Sequence, residues 1–508
     1  MKKILNFILH RLFFVVVMLL IQIIFIILVI TKFQNYVGYL YFLMEIVGIL
    51  VTLKIINSKS NPSYKIAWII PVLTIPIFGT LFYLIFAHKP NRKTNKRLFV
   101  INEILSNNLK QNKNLANKIK EQNLDLYNQS TYLINNKFPI YENTYSEYLE
   151  VGETYYKKLI EELKKAKHYI FLEYFIIQEG KMWNSILEIL KQKVREGVDV
   201  RVIYDDIGCI VTLPSKYYRK LKNYGIKAVS FNQFVPILTS RLNNRDHRKI
   251  LIIDGYVGFT GGVNLADEYI NEKERFGHWK DNGVLIKGDA VWSLTVMFLI
   301  TWDYVVNKKD DFEKFKPNYY NKEKIESNGY VQPYYDSPLD NEMIGKNVYL
   351  NLINKAKKSI YITTPYLIID DELDNALCLA SKNGVNITII TPGIADKKIV
   401  NEVTKEYYPN LLENGIKIYE YEKGFIHGKT FLVDDEYATV GTVNLDYRSL
   451  YLHFECGVVL YDTDSIKDIK KDINNIINNS KEILYKDTKI NFFKRLKRAL
   501  FRIFSPLM

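Results

Sequence analysis

Cysteine is scarce in this chain, and what there is cannot pair off. Cys209, Cys378 and Cys456 are odd in number, scattered, and set beside apolar residues. That excludes a disulfide scaffold and a cysteine-ligated metal site, and reads as buried thiols in a reducing compartment. Histidine is sparse too, seven in 508 residues, so a recurring histidine motif carries weight. Acidic residues are outnumbered, 55 against 69 Lys and Arg, for a formal charge of +14. A surplus of that sign suits an anionic membrane or a nucleic acid. Repetition at the ~20–50-residue periods of solenoids is missing as well.

What is abundant is apolar sequence, and it is unevenly placed. The first ninety residues carry "LFFVVVMLLIQIIFIILVI" (12–30), "YVGYLYFLMEIVGILVTLKII" (36–56) and "IAWIIPVLTIPIFGTLFYLIFA" (66–87). Each is near the ~20 residues that cross a hydrocarbon core as a helix. The first is too long for a signal peptide and lacks a small-residue cleavage site. Residues 1–88 are therefore expected to be a membrane anchor of two or three transmembrane helices. Lys2, Lys3 and Arg11 precede the array, and Lys89, Arg92, Lys93, Lys96 and Arg97 follow it. The positive-inside rule puts both flanks in the cytoplasm, so one run is expected to be re-entrant. Glu45 in the second run, or Pro71 and Pro76 in the third, marks the candidate. The denser cluster after residue 88 places the rest of the chain on the cytoplasmic side. With an anchor present, anionic lipid is a more economical partner than nucleic acid.

Residues 89–140, rich in Lys, Asn and Gln, read as a polar linker with some helix. A globular pattern runs from Tyr141 to about 485 and contains an internal repeat. "AKHYIFLEYFII" (166–177) resembles "AKKSIYITTPYLII" (356–369), and "EGVDVRVIYDD" (196–206) resembles "NGVNITIITPG" (383–393). "YGIKAVSFN" matches "NGIKIYEYE", with Gly225 and Gly415 standing 190 apart. Two copies at that distance mean a duplicated domain. Each half alternates strand and helix, which argues for an α/β fold with one α/β sandwich per half, 141–330 and 331–485. The histidine motifs are 180 apart, so the first half holds about ten extra residues, "PILTSRLNNR" or nearby. At the end, 486–508 puts Phe492, Phe493, Leu496, Leu500, Ile503 and Phe504 at helical spacing among Lys and Arg. This is a basic amphipathic helix, lying on anionic lipid or packed on the domain.

The repeat carries one motif twice. "HRKILIIDGYVGFTGGVNLADEY" (in the segment 241–268) places His247, Lys249, Asp254, Gly261, Gly262 and Asn264. "HGKTFLVDDEYATVGTVNLDYRS" (in 421–448) places His427, Lys429, Asp434, Gly441, Thr442 and Asn444 at the same intervals. In a strand, residues i and i+2 share a face, so His and Lys project into one cleft. The four residues that follow are core. Asp254 and Asp434 end the strand and can tie down the turn, and the Asn amide can donate to a substrate oxygen.

Two such clefts face to face hold two imidazoles, two ammonium groups and two amides, a pocket for a phosphoryl group. Lys and Asn would orient its nonbridging oxygens as charge builds. One histidine would attack phosphorus while the other protonates the leaving alkoxide. Each imidazole needs a carboxylate on its far nitrogen. Asp281, 34 residues after His247, and Glu455, 28 after His427, are the candidates, with a solvent-facing role as the alternative for each. No metal is expected: Lys is a poor ligand and repels a cation, and His278 and His453 read as packing or surface residues.

The paired motif resembles that of the phospholipase D superfamily. The resemblance extends over most of the chain to the bacterial cardiolipin synthases, through "FLEYFIIQEG", "VRVIYDDIG", "GGVNLADEY", "TPYLIIDDEL" and "GTVNLDYRSLYLHFE". It implies two phospholipase D-like domains sharing one active site in a bacterial cell membrane. It implies transfer of a phosphatidyl group from one phosphatidylglycerol to another, with release of glycerol, through a phosphohistidine and without a cofactor. His247, Lys249 and Asp254 match the first motif and His427, Lys429 and Asp434 the second. The resemblance makes His247 the nucleophile and His427 the acid. Thr442 stands where serine is frequent and keeps the hydroxyl. The motifs alone do not separate transfer from hydrolysis, and they are silent on oligomeric state.

Overall fold

The structure is a computed structural model describing residues 37–86, 92–233, 243–321, 325–340 and 342–507, with isolated positions before residue 37. Two units can be distinguished. One contains the helices α1 (Val37–Ile56), α2 (Pro62–Thr74) and α3 (Pro76–Phe86) together with the chain end from Leu500 to Leu507. The other contains the described chain from Arg92 to Gln233 and from Asn244 to Ala499.

The third apolar run is not one helix. Pro76 supplies no amide donor and pushes Ile75 out of helical geometry (φ −138°, ψ 73°), ending α2 and starting α3. The chain then folds back, and Gly79 permits it, since a Cβ there would meet the Pro71 carbonyl oxygen at 2.1 Å. Trp68 packs on Phe82 and Tyr83, and Ile55 and Val72 complete a small core. Helices of 13 and 11 residues reach roughly 20 and 17 Å, short of a hydrocarbon core of about 30 Å. The second run forms α1 but includes Glu45 and Lys54. Among the described residues no helix is long and apolar enough to cross a membrane, so the expected spans are not found there. Most of the first run lies outside the described residues.

The expected linker is largely helix. Arg92–Asn108, Lys113–Gln122 and Leu124–Asn135 are helical, with Asn112 and Asn123 capping the second and third through their side chains. Leu115, Ile119, Leu126 and Leu133 are buried. Backbone carbonyls of this segment accept from the globular part: Asn108 from Trp292 and Ser130 from Gln332. Asparagine richness thus marks helix starts rather than a free tether.

The strands are β1 (Thr144–Leu149), β2 (Tyr169–Tyr174), β3 (Asp199–Asp205), β4 (Lys227–Phe231), β5 (Lys249–Ile253), β6 (Val257–Gly261), β7 (His278–Lys280) and β8 (Gly283–Gly288), followed by β9 (Tyr330–Asp336), β10 (Ser359–Thr363), β11 (Asn386–Pro392), β12 (Lys417–Tyr421), β13 (Gly424–Ile426), β14 (Thr430–Val433), β15 (Tyr437–Gly441), β16 (Glu455–Tyr461) and β17 (Ser480–Ile483). The first sheet runs β1-β8-β6-β5-β2-β3-β4 and the second β9-β16-β15-β14-β10-β11-β12-β17. Apart from the added β17, the orders correspond strand for strand, which is the duplicated α/β fold.

In both sheets the motif strand, β5 or β14, is central and antiparallel to β2 or β10. Ile250–Ile253 and Phe431–Val433 are buried on both faces. Leu159, Leu163, Trp183, Ile186 and Leu190, from helices Gly152–Lys165 and Lys181–Arg195, fill one side of the first sheet's core. The halves are joined by the short parallel pair β7–β13, where His278, Trp279 and Lys280 oppose Gly424, Phe425 and Ile426. Residues 236–242 of the ten-residue excess lie outside the described residues. The C-terminal helix spans Phe492–Ile503, with Phe492 and Phe493 exposed and Arg498 paired to Glu402 at 2.6 Å. All three cysteines are free and buried.

Candidate active site

His247 and His427 each sit just before their motif strand rather than within it. Each is therefore held by something other than its own ladder. The His247 amide donates to the Phe454 carbonyl (2.9 Å), and the His427 amide donates to the Lys280 carbonyl (2.7 Å). Phe454 immediately precedes Glu455, and Lys280 immediately precedes Asp281. Each histidine's backbone is thus pinned by the half that does not contain it.

The side chains follow the same crossing. His247 Nδ1 lies 2.9 and 3.0 Å from the Glu455 carboxylate oxygens, and His427 Nδ1 lies 2.6 Å from Asp281 Oδ2. Counting downstream within one half pairs each carboxylate with the wrong histidine. Both carboxylates are buried completely, which is the opposite of a solvent-facing role. With Nδ1–H donated, Nε2 of each imidazole keeps its lone pair.

Glu455 is further held by the Thr442 hydroxyl (2.5 Å), which also accepts from the Cys456 amide. At the matching place the first half has Gly262, where a Cβ would meet Asp281 Oδ1 at 1.9 Å. Threonine therefore anchors one carboxylate and glycine makes room for the other. Asp281 is completed by the Asn282 amide and the Trp279 indole N–H.

Lys249 and Lys429 are buried and donate to the carbonyls of His247 and His427. Lys249 lowers the proton affinity of both histidines, and Asp281 and Glu455 both act on each lysine. The two motifs therefore share one electrostatic site. Burial brings the Lys249 ammonium down to about 8 and that of Lys429 to about 7. Burial also keeps both imidazoles neutral, near 3 for His247 and 4 for His427, against the pull of their carboxylates. Burial opposes the Asp281 charge, yet His427 and Lys429 hold its carboxyl near 2. Glu455 is held well below its usual range against burial, first by His247. Aromatic walls complete the site, with Phe175 5.0 Å from the His247 ring and Trp279, Phe425 and Tyr269 5.4, 5.7 and 5.7 Å from His427.

Asp254 and Asp434 are not brought to the histidines. Both sit after the strand in left-handed backbone (φ 52° and 54°), a conformation aspartate tolerates. Asp254 accepts the amides of Lys167, His168 and Tyr169, and Asp434 those of Lys357, Lys358 and Ser359. They fasten the helix-to-strand turn at the far end of the motif strand, as their place at the strand end suggests. Asn264 spends its amide on the scaffold, accepting from Ile176 and donating to Tyr269. Asn444 is buried with an unpartnered Oδ1.

Two features escaped sequence reasoning. Arg248, between His247 and Lys249, is buried against Glu173 (2.7 Å), Asp246 (2.8 Å) and Thr301 (2.9 Å). It ties the motif strand to β2 and to the helix Val291–Val306, whereas its counterpart Gly428 has no side chain. His453 packs beside the site, its ring 5.6 Å from that of His247. Its spacing, two before Glu455 as Trp279 is two before Asp281, was the available signal.

The family model described as cardiolipin synthase, PLD-like domain, matches residues 159–291 and 349–477. The model described as phospholipase D-nuclease N-terminal matches 46–87. A cardiolipin synthase of Alkalihalophilus pseudofirmus is 33% identical over 93% of this chain and 94% of its own length. Cardiolipin synthase 2 of Bacillus anthracis is 35% identical over 89% and 88%. In fold, the chain is similar to phosphatidylserine synthase of Haemophilus influenzae, with a TM-score of 0.55 at 17% identity over 71% of this chain and 93% of that one.

Proposed function

Because this chain belongs to the phospholipase D-like cardiolipin synthase family, we propose that its crossed histidine–carboxylate pairs carry out phosphatidyl transfer between two phosphatidylglycerol molecules. It is a phosphatidyltransferase that makes cardiolipin and glycerol. The observation that carries the mechanistic reading is the pairing of His247 with Glu455 and of His427 with Asp281 around two shared lysines.

In the first step His247 Nε2 attacks phosphorus, the phosphorus–oxygen bond to glycerol breaks, and His427 gives its proton to the departing alkoxide. His427 suits the acid because Asp281, aligned through one oxygen at 2.6 Å, stabilises the imidazolium. It is neutral in the empty site, and the anionic phosphate favours its protonation on binding. In the second step a headgroup hydroxyl of another phosphatidylglycerol gives its proton to His427 and attacks the phosphohistidine, restoring His247. Lys249 and Lys429 neutralise the phosphoryl oxygens as charge builds. Asn444 is the amide better placed to orient the phosphate, since Asn264 is engaged with Tyr269.

The substrates are lipids, and the chain offers apolar surface toward them. Phe42, Leu43, Ile49, Leu53 and Ile66 are exposed on α1 and α2, as are Phe492 and Phe493 near five basic residues. This supports seating on an anionic bacterial membrane by these helices and the C-terminal one.

The test is incubation of the full chain with phosphatidylglycerol vesicles. Cardiolipin plus glycerol is expected, and phosphatidic acid plus glycerol alone would overturn the synthase reading. His247→Ala and His427→Ala should each abolish product. Normal turnover by either variant would rule out the paired mechanism.

A further inference from the structure

His453 has no hydrogen-bond partner for either ring nitrogen, although its side chain is only 10% exposed. An imidazole so placed offsets its desolvation only through the nearby Glu455 carboxylate, unless something else binds it. Its Nδ1 lies 3.6 Å from Glu455 Oε1, and Glu455 Oε2 lies 2.9 Å from His247 Nδ1. One ligand atom from each of the three residues falls within 4.8 Å of the other two. Donors on a tetrahedral zinc ion with bonds of about 2.0–2.1 Å stand about 3.3 Å apart, so both spacings fit with small adjustments.

The other half provides an internal comparison. Trp279 occupies the place that His453 occupies, and its indole donates to Asp281 as His453 faces Glu455. An indole N–H is a donor only and cannot bind a cation through nitrogen. One histidine–carboxylate pair is closed off, and the other has a third ligand beside it.

We propose that His247, Glu455 and His453 form a zinc-type inhibitory site, in which a soft divalent cation takes His247 Nδ1, a Glu455 oxygen and one His453 nitrogen. The consequence lies in the tautomer. In the working state Nδ1 carries the ring proton and donates it to Glu455, leaving the Nε2 lone pair for phosphorus. When a cation accepts the Nδ1 lone pair, the neutral ring must carry its proton on Nε2. The attacking electron pair is then gone, with no net change in protons on the ring. The fourth position of the ion stays open to water or to a phosphoryl oxygen, so substrate can sit in the site without reacting. The inhibitory consequence rests on the transferase reading above, while the binding itself does not.

The experiment titrates the full chain in detergent micelles with ZnCl2 and reads heat, alongside cardiolipin formation with and without EDTA. One ion per chain is expected, with turnover suppressed by zinc and restored by chelation. In His453→Asn and His453→Phe, zinc affinity should fall by more than the roughly 10–100-fold that loss of an indirect partner costs. The zinc needed for half-inhibition should rise in step. Absence of binding by the parent, or affinity unchanged from the parent in both variants, overturns the inference. Binding that depends on His453 in a chain that forms no cardiolipin would sink the transferase reading while leaving the metal site standing.

Discussion

His427 Nδ1 lies 2.6 Å from Asp281 Oδ2, a carboxylate 146 positions earlier in the chain and in the other half of the repeat. Each half supplies the carboxylate that the other half's histidine faces, so neither half is expected to be competent alone. Asp281→Asn and Glu455→Gln should each leave the fold intact and lower kcat on the order of 10³–10⁴-fold, the scale of fixing the wrong tautomer in a triad. Circular dichroism with initial-rate measurements checks this, and a loss below about tenfold in both would show the crossing to be structural.

Activity should depend on pH through the lysines. Burial holds Lys429 and Lys249 near 7 and 8, so both discharge as pH rises through that range. The kcat/KM for phosphatidylglycerol should fall above pH 7, by about tenfold per unit up to pH 8 and about a hundredfold per unit beyond it, since a neutral amine does not attract phosphate. Bound phosphate favours the ammonium form, so kcat should hold to higher pH. Stability has the opposite sign. The unfolded chain keeps these protons up to about 10.4, so between roughly 7 and 10 the empty fold should gain stability as pH rises. Denaturation midpoints across that range test it.

Arg248→Met removes the cation between Glu173 and Asp246 while keeping most of the packing volume. The stranded carboxylates should cost about 3–5 kcal/mol of unfolding free energy, the scale of breaking a buried pair from one side. Denaturant titration reads the loss. The double variant Arg248→Met with Glu173→Leu should recover part of it.

Asp434→Ala should lower Tm and leave the turnover of the folded fraction close to that of the parent, because Asp434 touches three backbone amides and no reacting group. The same holds for Asp254→Ala. A fall in kcat comparable to that of His427→Ala would return these residues to the chemistry.

Removing residues after Lys486 takes away Phe492, Phe493 and six Lys and Arg side chains. Binding to phosphatidylglycerol vesicles should weaken, and the difference should shrink in high salt as the charge contribution is screened. Sedimentation with vesicles at two ionic strengths measures it, and unchanged binding would assign this helix a purely structural role.

Much of this was legible in the chain itself. A repeat with two complete histidine motifs at equal intervals is a local pattern, and so are the buried four-residue runs and the glycine helix stops that mark the strands. Pro76 was visible as well, but whether it kinks a helix or ends one depends on packing that sequence does not display. Here Pro76 splits the run and Gly79 lets the chain fold back. The polar stretch before Tyr141 misled because composition averages over faces: four buried leucine and isoleucine side chains suffice to dock two short helices.

The amino-acid sequence by itself determined the duplication, the motif strands and the identity of the chemical groups, because periodicity and spacing act within a few residues of chain. Only the tertiary structure decided which carboxylate serves which histidine, and that His453 stands beside one pair while Trp279 caps the other. Those relations join residues 146 and 208 positions apart. They arise from two sheets meeting across the β7–β13 pair, a contact that neither half encodes alone.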